Sequence, residues 1–111
     1  MTLMEPMIRA MHAALDDAGR ADVLLRCPRA VLMKFHHVFM DACGKAQFEA
    51  GIEYLIVEQS ARHAVLQADG TLPPVMQAGC DMMRLNLVRI VKAAAQARKA
   101  EAAIGEGTDA P

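Results

Sequence analysis

Apolar residues recur along this chain three, four and seven positions apart and almost never in strict alternation, which is the period of a helix and not of a strand. Met4, Met7, Ile8, Met11 and Leu15 make such a stripe, with Glu5, Arg9, Asp16 and Asp17 lying off it. They predict a first helix over 5–18, with Pro6 in the first turn, where a missing N–H costs nothing, and Gly19 as the residue past its end. Residues 20–27 read as a connector or a short helical turn capped by Asp22. A second helix is expected over 28–43, opened by Pro28 and closed by Gly44. Val31, Leu32, Phe35, Val38, Phe39 and Ala42 form its core stripe. Met33 and Met40 extend the apolar surface onto another side, leaving Lys34, His37 and Asp41 as a narrow polar strip.

The third helix is expected over 45–68 and has two apolar faces. Phe48, Ile52, Leu55, Ile56 and Leu66 line one, and Tyr54, Val57, Ala61 and Val65 the other. Glu49, Glu53 and Ser60 separate the faces on one flank; Glu58 and Arg62, an i,i+4 pair with the acid first, separate them on the other. Gly51 weakens this helix by about 1 kcal/mol relative to alanine. The β-branched cluster Ile52, Ile56, Val57 admits a strand over 52–58, but without alternation helix is preferred. Ala68-Asp69-Gly70-Thr71 followed by Pro73-Pro74 is the clearest break. A last long helix follows over 74–103, with Val75, Met76, Met82, Met83, Ile90 and Ala93 along one side. The expected organisation is one all-α domain over 1–104, a bundle of about four helices, with a flexible tail over 105–111.

Composition changes this picture in one respect. With 54% hydrophobic residues and nine methionines in 111, the chain holds more apolar surface than a thin bundle hides. Two-faced helices in so short a chain imply a second chain over the spare face, for which a twofold homodimer is the commonest solution. Met4, Met7, Ile8, Met11, Met33, Met40, Tyr54, Val57 and Val65 are therefore the expected dimer or partner surface.

Charge and cysteine usage narrow the function. A net charge of −1 lacks the positive excess with which nucleic-acid-binding domains displace counterions, and Arg84, Arg89, Lys92, Arg98 and Lys99 read as a solvated helix face. No partner among nucleic acids or membranes is expected. Three cysteines, Cys27, Cys43 and Cys80, form no even framework and no C-x-x-C pair, so reduced thiols and a cytoplasmic protein are expected. The N-terminus lacks the apolar run of a signal peptide.

Candidate chemistry is sparse. His37 and Asp41 share a helix face, but two ligands fall short of a metal site, and no Glu-x-x-His pair is present. The methionines of the first helix have the spacing of a copper(I) cluster, yet read more simply as core or as an adaptable docking face. Cys43 lies two turns from His36, too far for a thiol–imidazole pair, and the Glu49, Glu53 pair marks solvent. No isolated glycine builds a phosphate loop, and no helix–turn–helix pattern spans 42–57. No catalytic residue, cofactor or metal is expected.

The reading is a small non-enzymatic regulator acting by protein–protein interaction: an inhibitor, anti-activator or adaptor of another protein, in one case a transcription factor. In size, helical character and methionine-rich first helix the chain resembles the small anti-activators with which some bacteria hold back transcription factors; the resemblance covers size and composition and assigns no residue a role. A structural assembly subunit would share these features. A small-molecule or metal-sensing bundle would need polar groups converging inside, where His36 and Asn86 are the internal candidates.

Overall fold

The structure, a computed structural model, describes residues 4–108, with side chains from Pro6 to Ala103. Among the described residues it is all helical and has no strand, and it divides into six helices where the pattern predicts about four. They are α1 (Met4–Ala13), α2 (Asp17–Arg26), α3 (Arg29–Lys34), α4 (His36–Lys45), α5 (Glu49–Arg62) and α6 (Pro74–Thr108). None of them is long and apolar enough to cross a membrane. The 35-residue α6 is the spine. α2 packs along one side of it and α5 along another, α4 lies on α5, and α1 closes over α2 and α4. Leu24, Leu32, Phe39, Cys43, Leu55 and Leu87 are fully enclosed where these helices meet.

Each difference from the expected elements has a local cause. The first helix stops at Ala13 because Asp16 starts a new one: its backbone is extended and its carboxylate accepts from the Gly19 N–H at 2.8 Å. Gly19 thus sits in the first turn of α2 and not past the end of α1. Leu15, which continues the apolar period of α1, falls in the break and is 98% exposed. Residues 20–27, expected as a connector or a short helical turn capped by Asp22, fall almost wholly within the ten-residue α2, which Asp16 caps instead, with Arg20 bonded to Asp17 at 2.8 Å along its flank and Ala21, Val23 and Leu24 inside. Asp16→Ala should lower stability by about 1 kcal/mol, the usual cost of losing an N-cap. Urea unfolding of the variant measures it, and an unchanged midpoint would mean that the cap does not hold this break.

The expected second helix bends at Phe35 (φ −113, ψ 31) into α3 and α4. His36, the first residue after the bend, donates from Nε2 to the Leu55 carbonyl at 3.1 Å and so fastens α4 to α5. Gly44 does not close α4; the turn comes three residues later. Gln47 takes the left-handed conformation (φ 56), its N–H bonds Gly44 O at 3.1 Å, and Phe48 N–H bonds Cys43 O at 2.9 Å, the paired bonds of a Schellman cap. α5 ends at Arg62, short of the expected 68, because the chain tightens into i→i−3 bonds at His63 and Ala64. α6 runs to Thr108, past the expected 103, and from Ala95 to Ala103 every residue is exposed.

Candidate functional site

Two regions of the surface carry more chemistry than the fold requires. The first is a cleft of about 350 Å3 where the end of α5, the α5–α6 loop and the first turns of α6 meet the start of α3. The loop is built rather than slack. Gly70 N–H bonds Gln67 O at 2.9 Å, with Gly70 in the left-handed region (φ 85), and Gln67 N–H bonds Thr71 O at 2.8 Å. The Thr71 hydroxyl and N–H both reach Asp69, which holds that carboxyl below its usual range. Gln67 Nε2 ties down the Leu72 carbonyl at 2.9 Å. Leu66 and Leu72 of this loop line the cleft together with Ala61 and Cys80.

Glu58 lines the same cleft. Sequence spacing pairs it with Arg62 as a solvated flank of α5; instead it is 4% exposed, the one charged residue in the core of the described chain. Its Oε2 lies 3.5 Å from Arg29 Nε, a long contact to a side chain that is 64% exposed, and its Oε1 has no hydrogen-bond partner. Arg29, Arg62 and Gln77 share the lining. The carboxylate acts on its neighbours. Burial first, and then the Glu58 charge, push the Tyr54 hydroxyl above its usual range, against Arg84 and Arg29, which pull it down. Burial and Glu58 likewise raise the Cys80 thiol, opposed by Arg29.

The second region is the outer side of α6. Leu87 belongs to the core cluster, with Met83 and Ile90 packed against it; Cys80 is buried and Met76 half-buried on the same side of the helix. Val75 (86%), Met82 (52%) and Leu85 (42%) are exposed. The single apolar side expected for this helix is therefore two sides. Val75, Ala78, Met82 and Leu85 follow a 3-4-3 spacing, the seam by which helices pair, and no described part of the chain covers it.

The residues expected to form a partner surface are placed mostly inside. Met11 and Tyr54 are 2% exposed. Met7, Ile8, Met33 and Met40 are half-buried against the core, and the side chain of Met4 lies outside the described residues. Val57 is half-buried, 3.7 Å from where a Cβ on Gly79 of α6 would stand, so α6 itself covers the second face of α5. Of the expected set only Val65, in the loop, stands out at 87% exposure.

His37 and Asp41 are exposed on α4, and Asp41 pairs with Lys45 at 3.1 Å. Among the described residues no three His, Cys, Asp or Glu side chains converge as metal ligands would. The three cysteines are free and buried, and burial pushes the Cys43 thiol up to about 11, which leaves it protonated and unreactive at neutral pH. Of the internal polar candidates, His36 is occupied by the Leu55 carbonyl and Asn86 is half-buried on α6; Glu58 is hidden by a spacing that usually marks solvent. Comparison with protein-family models, with curated proteins and with solved structures finds no match to this chain.

Proposed function

We propose that the protein is a small, non-enzymatic, cytoplasmic regulator that acts by protein–protein interaction, as an inhibitor, anti-activator or adaptor, and that on its own it forms a homodimer. The observation that carries this reading is the uncovered seam of Val75, Ala78, Met82 and Leu85 on α6. A stripe of that length on a rigid helix costs free energy while it faces water, at about 25 cal/mol per Å2 of apolar area. A second copy suits it. Twofold antiparallel pairing sets Val75 against Leu85 and Ala78 against Met82, small against large, which lets two helices approach closely. A target helix of similar pattern would displace the second copy, the helix-in-groove mode of recognition. The end of α6, exposed from Ala95 to Ala103, adds reach along the same helix.

Size exclusion with light scattering should find a dimer at micromolar concentration, and a 12.0 kDa monomer persisting at high concentration would end the dimer reading. Met82→Glu with Leu85→Glu should give a folded, cooperatively melting monomer, because both side chains lie outside the core cluster, and its melting temperature should lose the dependence on protein concentration that the dimer shows. Affinity purification from native cells, wild type beside this double variant, then tests the regulatory reading. A protein retained by the first and lost from the second is the expected result. Recovery of this chain alone in both would favour a self-assembling structural subunit instead.

A further inference from the structure

The cleft beside Glu58 is independent of the α6 seam and has its own logic. A carboxylate removed from water normally answers its lost hydration with two or more charge-assisted hydrogen bonds. Glu58 has one long contact, from a largely exposed arginine, and an oxygen with no partner, while lining an open cleft of about 350 Å3. A site of that size accommodates a small molecule. The charges around it narrow the chemistry. Two guanidinium groups, Arg29 and Arg62, flank one carboxylate. A simple cation would meet two like charges, and a simple anion would leave Glu58 Oε1 unanswered and add repulsion. A ligand bearing both signs satisfies every group. Glu58 and Arg62 are one helical turn apart on α5, and such neighbours stand about 5–6 Å apart at Cβ. That separation lets one take an ammonium and the other a carboxylate attached to the same carbon. The rest of the wall, Ala61, Leu66, Leu72 and Cys80, is apolar.

We propose that this cleft binds an amino-acid-type zwitterion with an apolar side chain. The ammonium pairs with the Glu58 carboxylate, which turns toward it the unpartnered Oε1 that is sealed in the unliganded protein, the carboxylate pairs with Arg29 and Arg62, and the side chain rests on Leu66 and Leu72. Because Leu66 and Leu72 belong to the α5–α6 loop and Gln77 and Cys80 to α6, the bound molecule fastens the start of α6 to α5.

Thermal melting and amide NMR of the full chain test this with L-leucine and L-methionine as probes, beside 4-methylpentanoate and isoamylamine, which each keep one charge of leucine. At about 10 mM, at least one amino acid should raise the melting temperature by a few degrees and shift the amides of Ala61, Leu66, Leu72 and Gln77, while neither half-molecule does so. Glu58→Gln, which keeps shape and removes the charge, should weaken the response about tenfold or more. Arg62→Ala, at an exposed side chain, should weaken it while leaving the unliganded melting temperature unchanged. An equal response to 4-methylpentanoate would reduce the site to an anion patch and overturn the proposal. No response to either amino acid, in a wild-type chain that melts cooperatively, overturns it as well. The Met82→Glu, Leu85→Glu monomer should respond like the wild type, so this site and the seam stand or fall separately.

Discussion

Leu24→Ala should lower the unfolding free energy by about 3 kcal/mol, the middle of the range for emptying an enclosed leucine site. Leu24 is 0% exposed on α2, the helix with the most extensive contact to α6. Its side chain belongs to the cluster that holds Leu32, Phe39, Leu55 and Leu87. Removing it deletes apolar contact and leaves a void that two helices, each held elsewhere, collapse into only in part. For a domain whose whole stability is of order 5–15 kcal/mol, that loss is a large share. The melting temperature should fall by roughly 12–20 °C. Leu15→Ala is the internal control. It deletes the same atoms from a residue 98% exposed, and should change stability by less than about 0.5 kcal/mol. Urea denaturation of the two variants side by side decides the matter. If Leu24→Ala behaves like Leu15→Ala, α2 does not pack on α6 through Leu24, and residues 20–27 act as a connector.

That comparison also shows where the sequence can be read and where it cannot. Helical period, the Asp69-Gly70 turn with its prolines, and the long last helix are legible because each is a local property of the chain. The α1–α2 break is partly legible. Asp16-Asp17 is an N-cap signal, but Leu15 continues the apolar period of α1, and the period points past the cap. The bend at Phe35 and the left-handed Gln47 have no residue signal, since neither a proline nor a glycine marks them. The functional surfaces are least legible, and for a tertiary reason. Tyr54 and Val57 look like a face awaiting another chain because the helix that covers Val57, α6, begins only after the loop that follows α5. Glu58 looks solvated because Arg62 follows at the surface spacing, while its burial is set by α3 and α6. Spare apolar surface follows from composition, but the helix that bears it, α6, follows only from which sides of it the other helices occupy.

Glycine at 51 gives the last expectation, and its sign runs against helix propensity. Alanine for glycine inside a helix ordinarily stabilises by about 1 kcal/mol. At Gly51 a Cβ would stand 2.6 and 2.8 Å from the Phe48 ring carbons Cδ2 and Cε2 and 2.9 Å from Cys43 Sγ. None of these atoms yields easily. Phe48 is 2% exposed and Cys43 0%, and both are held by the Schellman turn, whose Phe48 N–H bonds Cys43 O at 2.9 Å. The missing side chain is what lets the first turn of α5 close over the end of α4. Gly51→Ala must therefore move the ring or the helix, and overpacking of this kind costs about 1–3 kcal/mol, enough to reverse the propensity gain. At Gly44, in α4, an added methyl would meet nothing within 4 Å, so Gly44→Ala should keep its gain of up to about 1 kcal/mol. The two variants make the same chemical change and should move the melting temperature in opposite directions, down by several degrees at 51 and up by a few at 44. Calorimetry on both reads the difference directly. A stabilising Gly51→Ala would mean that α4 and α5 do not meet as closely as Phe48 and Cys43 place them.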